Sequence, residues 1–388
     1  MKVAIVGAGW YGCHIARFLK SLGYSVAVFD RRDDIMTEAS GFNQNRLHQG
    51  FHYARDYETR MQSRDGFNRF LERYGHLTVD VSPNLYAVAA DQSLIDFRTY
   101  KAIMASSGIE FTEVSATTCG LNLTNVSGVM DTAERAINVD LARTFFRSEL
   151  QDDLVLGTSI RHSDIEYRRH GVLLNGEPFD FLIDASWSKF LPLKSSVFFE
   201  PTVLFYYECP LPSFALTLVD GPLASVYPTG QPGLYTLSSV THTPLGQYAT
   251  AAEAEHRLNS VTGEELDDIR FRMEEQIALY WPDFISNTKY LAPQLSIKTK
   301  PHGLQDNRAC SIERDNRVFK VMSGKIDTIF YASERILSEI SKTEELPWTY
   351  SSDTPALSAQ PWQERETSTG WSTAQPSIAY GGRRLISS

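Results

Sequence analysis

The chain has 388 residues, with 37 Lys and Arg against 47 Asp and Glu and a formal net charge of -10. That length predicts two or three domains, and 42% hydrophobic residues exclude a disordered or fibrous chain. The acidic balance argues against nucleic acid and anionic membrane surfaces, and no run of about 18 apolar residues offers a membrane span.

Residues 2–6 form a short apolar run of strand type, and Gly7-Ala8-Gly9-Trp10-Tyr11-Gly12 follows at once. Ile15, Ala16, Leu19 and Leu22 then recur at helical spacing, with Gly23 placed to end the helix. Residues 25–29 are a second strand, closed by Asp30. A strand–turn–helix–strand unit of this kind predicts a parallel sheet. Residues 38–55 are polar and read as loop. Residues 56–74 read as an amphipathic helix, and 77–135 as short strands around one helix near 91–105. Asn138 is placed to cap a helix carrying Val139, Leu141, Ala142, Phe145 and Phe146. Segments 154–160, 171–174 and 179–186 read as strands, as do several stretches between 203 and 241. Helical patterns return near 264–281 and 327–341. From about 347 the composition turns to Ser, Thr, Pro, Gln and Trp, which predicts an extended or disordered tail.

The cysteines, at 13, 119, 209 and 310, make no CxxC or CxH pair, so neither a disulfide framework nor a metal site is expected. They read as buried thiols in a reducing compartment. The first strand begins at Lys2, leaving no room for a signal peptide, so a cytoplasmic location is expected.

The glycine turn carries the clearest chemistry. Gly7 permits the tight turn, Gly9 lets the backbone approach a pyrophosphate, and Gly12 lets helix pack on strand. The helix N-terminus then offers N–H groups and partial positive charge to phosphates. Asp30, with Arg31 beside it, is placed to accept hydrogen bonds from an adenosine ribose. The motif predicts dinucleotide binding without separating FAD from NAD.

Residues 39–53 pack polar side chains around two glycines, and Leu47-His48-Gln49-Gly50 lies within them. Here the sequence resembles the D-amino-acid-oxidase-like family of FAD-dependent oxidoreductases. That family carries a Ser/Asn/Arg-rich loop after the second strand, often ending in an Ile/Leu-His-x-Gly step. The resemblance implies that Ser40, Asn43, Asn45, Arg46, Leu47 and His48 run along the pyrophosphate and under the isoalloxazine ring. Trp10 and Tyr11 join them from the turn. Phe181–Trp187 resembles the returning strand of the family, which puts Ser186 and Trp187 against the flavin. Ser323-Gly324-Lys325-Ile326-Asp327-Thr328 resembles the loop and helix start beside the flavin pyrimidine, where the helix dipole favours negative charge on reduced flavin. The chain differs from the family in having Asp30 where many members have Glu and, in the C-terminal loop, Lys325 in place of a run of glycines. It also has no match to the arginine that fixes an amino-acid carboxylate.

The resemblance therefore implies an α/β fold, with a Rossmann-type FAD-binding domain and an interleaved antiparallel β-sheet substrate domain. The FAD-binding domain is expected from 1–80, 136–195 and 301–346, and the substrate domain from 81–135 and 196–300, with the tail over 347–388. The implied activity is an FAD-dependent oxidoreductase moving hydride from a C–N or C–O carbon of a small molecule to flavin N5. Tyr53 and Tyr227 are candidates to position substrate, balanced against ordinary half-buried aromatics. Lys325 is expected to face the flavin. Lys298 and Lys300 read first as surface lysines flanking a strand, and second as anion ligands or, for Lys298, an aid to oxygen chemistry. Glu274 and Glu275 read as solvated charges. His48 and His52, four apart across Gly50, do not suggest a metal pair. No catalytic dyad stands out, as fits oxidation of a neutral amine. An NAD(P)-dependent dehydrogenase, a redox-neutral flavoenzyme on a sugar nucleotide and a non-catalytic flavin-binding sensor are the alternatives. Oligomeric state stays open at this stage.

Overall fold

The computed structural model describes residues 1–117, 119–302 and 308–344, so the 347–388 tail lies outside the described residues. The chain divides into two compact units, Met1–Leu337 and Ser338–Ser388, and the first holds everything discussed below.

Strand β1 (Lys2–Val6) runs into helix α1 (Trp10–Ser21), which returns to strand β2 (Ser25–Phe29). Gly23 lies just past the helix at φ +84, the left-handed geometry that ends a helix. β1 is buried along its length and sits centrally in a six-stranded sheet. In order across that sheet lie 311–315, 318–322, 181–184, 2–6, 25–29 and 154–155, all parallel except the first pair. The strand expected over 154–160 is only Leu154–Val155, because Gly157 turns the chain at φ +66.

Asp56 accepts a hydrogen bond from Thr59 N–H and starts helix α2 (Tyr57–Tyr74). The helix expected near 91–105 begins later, at Phe97, because the Asp96 side chain caps it on Thr99 N–H. Asn138 caps Val139–Leu150 as predicted.

The second large sheet has eight strands, in the order 289–301, 197–208, 234–239, 224–228, 215–219, 84–89, 126–131 and 112–114. It is antiparallel apart from one parallel pair, 84–89 with 215–219. Its two long edge-side strands, Val197–Glu208 and Lys289–Pro301, pair over almost their full length. On one face it buries a core that includes Phe205, Tyr207, Phe214, Leu237, Met273 and Trp281. Glu274, expected in solvent, is buried there and accepts from the Tyr207 hydroxyl and Arg270. Strands 46–47, 135–137 and 78–80 make a small three-stranded antiparallel sheet with 135–137 in the middle. Among the described residues no helix is long and apolar enough to cross a membrane.

Candidate active site

The turn after β1 is shaped by what it lacks. Gly7 adopts φ +104, and a Cβ there would lie 2.8 Å from the Ala185 carbonyl oxygen. A Cβ on Gly12 would lie 1.8 Å from the Gly7 carbonyl oxygen, so α1 can pack on the turn only with glycine. α1 starts at Gly9 without a side-chain cap and without an acid in its first turn. Its N-terminus is therefore left with donors and a positive dipole end suited to phosphate. Ser40 closes over it, with Oγ accepting from Trp10 N–H at 3.1 Å. Asp30 Oδ2 accepts from Ala8 N–H at 2.7 Å and fixes the turn from below.

A cavity of about 710 Å³ opens from this turn. One wall is the 39–53 loop, which is held by backbone and amide bonds. Asn43 Nδ2 donates to the Ala39 carbonyl at 2.6 Å, Asn45 takes φ +51, and Ile137 N–H donates to the Asn45 carbonyl. Arg46 is buried and ties this loop to the eight-stranded sheet. Its guanidinium donates to Thr217 Oγ1 at 2.7 Å and Gln44 Oε1 at 2.6 Å, and lies 4.3 Å over the Tyr227 ring. The opposite wall is the 323–326 turn. The Tyr11 hydroxyl, from α1, donates to the Lys325 carbonyl at 2.5 Å and meets Thr328 Oγ1 at 2.7 Å. This pins the turn to the start of the fold. Lys325 Nζ lies 4.1 Å from the centre of the Tyr53 ring.

The far part of the cavity is lined from the eight-stranded sheet. Glu200, Lys298 and Lys300 enter from its two long strands, and 218–225 and 238–244 complete the wall. Lys300 pairs with Glu200 at 2.5 Å. Burial, with Lys300, Arg308 and Arg46 nearby, lowers the Lys298 ammonium from its ordinary value to about 8. Arg55 and Asp220 form an ion pair on the lining.

Of the expected site residues, Gly9, Trp10, Tyr11, Ser40, Asn43, Asn45, Arg46, His48, Tyr53, Trp187, Gly324, Lys325 and Ile326 line this cavity. Tyr227 does not: it is fully buried, and its hydroxyl donates to the Arg135 carbonyl and accepts from Asn84. It supports Arg46 rather than a substrate. Asp327, Thr328, Leu47, Ser186, Gly7, Gly12 and Asp30 are also outside the lining, and the two Asp30 oxygens accept from Ala8 N–H and Arg32 N–H. Asp327 is fully buried against Ser63, and its carboxyl is raised to about 7 by burial. The helix expected to open at 323 begins only at Ile329, so 323–328 is the turn before it. Arg31 lies on the surface between Glu38 and Glu255. Lys298 and Lys300, read first as surface charges, line the cavity instead. Gln44, Glu200 and Arg308 also line it without having been singled out, and His52, weighed only as half of a metal pair, lines it too. A sequence sign existed for the strand: Gln294, Ser296, Lys298 and Lys300 alternate at period two on one face. Among the described residues no cluster of His, Cys, Asp or Glu could hold a metal ion.

The comparisons agree with this architecture. The model of the family described as FAD dependent oxidoreductase matches residues 2–185. The chain is 52% identical over 339 residues to the FAD-dependent monooxygenase FPY4 of Fusarium mangiferae, covering 87% of this chain and 91% of that protein. Among solved structures it is similar in fold to the L-alpha-glycerophosphate oxidase of Mycoplasma pneumoniae with FAD bound. That match has a TM-score of 0.68 at 14% identity, over 87% of this chain and 93% of that one. Glycine oxidase from Geobacillus kaustophilus gives a TM-score of 0.62 at 16% identity, over 88% and 94%.

Proposed function

Because the chain belongs to the FAD-dependent oxidoreductase family, we propose that it oxidises a small anionic substrate at a C–N or C–O carbon inside the 710 Å³ cavity. FAD, when bound, supplies the hydride acceptor at flavin N5. The residues present fit that cofactor. Gly9, which lines the cavity at the start of α1, would let the pyrophosphate approach the backbone. Asp30, at the end of β2, would take the ribose, and the 39–48 and 323–326 walls would flank the flavin. In this reading 1–80, 136–195 and 301–344 carry the cofactor, and 81–135 and 196–300 the substrate.

One observation carries the substrate half of the proposal. The cavity that opens at the glycine turn is also lined by Arg46, Lys298, Lys300, Arg308 and Lys325, with Glu200 paired to Lys300 and Asp220 paired to Arg55. Cations enclosed this way attract a carboxylate or phosphate far more strongly than they would in water. Side chains of the sheet exclude solvent from the reacting carbon, and Tyr53, fixed under Lys325, offers a flat apolar face.

Monooxygenation is the second reading, favoured by the name of the relative at 52% identity. One experiment separates the two. Purified protein is mixed without oxygen with hydroxy acids and amino acids, and the flavin band near about 450 nm is followed. Bleaching by substrate alone supports hydride removal. Bleaching only by a reduced nicotinamide, with an atom of labelled oxygen later found in product, supports monooxygenation and ends the first reading.

A further inference from the structure

Where the cavity meets the surface, its lining is apolar. Leu94 and Val240 are 59% and 54% exposed, and both line the cavity. Among the described residues no other large hydrophobic side chain is exposed and also part of that lining. Pro222 and Leu223, on the turn joining strands 215–219 and 224–228, belong to the same lining, as does Pro244.

This rim is not a loose loop. Leu94 N–H donates to the Asp220 carbonyl at 2.8 Å, and Asp220 N–H donates to Ser93 Oγ at 2.9 Å. Val240 N–H donates to the Leu223 carbonyl at 3.0 Å. The Pro222 carbonyl accepts from Gln276 Nε2 at 2.7 Å and from Thr241 Oγ1 at 3.3 Å. Gly221 takes φ +129, and a Cβ there would lie 3.2 Å from Leu94 Cγ, so Leu94 rests on the glycine. Three segments, 93–94, 220–223 and 240–241, are thus tied into one edge. A single exposed leucine needs no explanation. Two apolar side chains held on a fixed backbone at one cavity mouth are different, because covering them costs little further ordering.

The rim adjoins the cationic wall. Segment 240–244 runs beside the strand that carries Glu200: Val203 N–H donates to the Thr243 carbonyl at 2.9 Å, and Thr202 bridges Pro244. That strand places Glu200 opposite Lys298. The charges nearest the rim, Arg55 and Asp220, are paired with each other. The flavin is to be seated in the same cavity, so a long substrate held at the cations has to run outward past Leu94 and Val240.

Resting on the hydride-transfer reading above and deepening it, we propose that the substrate is an amphiphile. Its anionic group is held by Lys298, Lys300 and Arg308, and its aliphatic chain lies across the rim of Leu94, Pro222 and Val240. A short polar acid uses the charges and leaves the rim wet. A longer one covers it and sheds water from both surfaces. The chain touches nothing that changes during the reaction, so the rim acts on affinity and not on the chemical step.

The test uses the full flavin-loaded chain. Straight-chain carboxylates from acetate to decanoate are titrated in, and binding is followed by the flavin spectrum, without turnover. Once the chain reaches the rim, Kd should fall about two- to fourfold per methylene. Leu94→Ser and Val240→Thr should each flatten that slope, and Leu94→Met should keep most of it. A series with no slope overturns the proposal, as does a slope that survives in the Leu94→Ser, Val240→Thr double variant. A flat series with a dimer that Leu94→Ser dissociates gives the rim to a second copy of the chain and overturns it too. Carboxylates that fail to bind at any length overturn both the anionic substrate and this inference. A second arm, without oxygen, follows flavin bleaching by 2-hydroxy and 2-amino acids of rising chain length. The apparent Kd should fall with length while the limiting rate changes little. A slope in carboxylate binding without bleaching by any acid ends the hydride-transfer reading and leaves chain recognition by the rim in place.

Discussion

The two ends of the cavity are built by opposite means. At the glycine turn the backbone does the binding, and side chains are removed to let it. Gly7 and Gly12 leave no room for a Cβ against neighbouring backbone, Gly9 faces only the Ser40 hydroxyl, and the helix start supplies the charge. At the other end long side chains reach inward from separate elements. Lys298 and Lys300 come from strand 289–301, Arg46 from strand 46–47, and Arg308 and Lys325 from irregular segments. The first design is intolerant of added atoms. The second tolerates them but depends on which charges are ionised.

Four measurements sharpen or break that contrast. The largest effect belongs to the turn. Gly9→Val places carbon where Ser40 Oγ now lies, 2.8 Å from a Cβ, and in the phosphate path. FAD affinity should fall more than about 1000-fold, or about 4 kcal/mol, read as the flavin-to-protein absorbance ratio after desalting. A normal ratio would show that the turn has room after all.

Arg46 joins the two designs, and Arg46→Met should cost about 2–3 kcal/mol, because Gln44 and Thr217 lose a buried partner. The denaturant midpoint checks this; an unchanged midpoint would mean the loop and sheet hold together without it.

Below the turn, His14 is bonded to Tyr74 and Ser333 and is lowered to about 3, chiefly by burial. It stays neutral in the fold while the unfolded chain takes up a proton near pH 6.5. Stability is thus whole above about pH 6.5 and falls as pH drops toward 3. Between pH 7 and pH 5 this one imidazole should account for about 2 kcal/mol. A His14→Gln variant should show a flatter loss across that range, and an equal slope would return His14 to the exposed class.

The smallest effect is at the charged end. Lys298→Met should weaken binding of oxalate about tenfold at pH 7, followed by the flavin spectrum. In the wild type that affinity should decline as pH rises through about 8, where Lys298 loses its charge. The variant should lack that step; its persistence would assign the step to another group.

The same contrast explains what could be read in advance. The glycine turn is local: strand, turn, helix and acid fall within residues 2–30, so periodicity and three glycines announce it. The resemblance carried the reading through the 39–53 loop and the 323–328 turn, and most of the residues expected to touch flavin do line the cavity. The charged end is different. Glu200 meets Lys298 and Lys300 only because strand 197–208 pairs with 289–301, some hundred residues away. Glu134 meets His48 because 135–137 pairs with 46–47. No local pattern encodes a meeting of that kind. Tyr227 was misread for a related reason: period two on its strand fixes a face but not which layer fills it, and Arg46 occupies the space above its ring. The helix at 251–260 was missed although Thr250 and Glu253 form a capping box at its start.

The order of strands around β1 has a consequence for the chain at birth. Strand 2–6 is made first, yet its neighbour 181–184 follows after almost two hundred residues, and 318–322 completes that flank later still. At roughly 5–20 residues per second on the ribosome, strand 181–184 emerges roughly 9–36 s after strand 2–6. For that interval an apolar strand has only one of its two partners to cover it. The sheet around β1 can therefore be completed only after its late strands are made. A fragment ending between 185 and 317 would carry the whole glycine signature and still lack strand 318–322 and the 323–326 turn that lines the cavity.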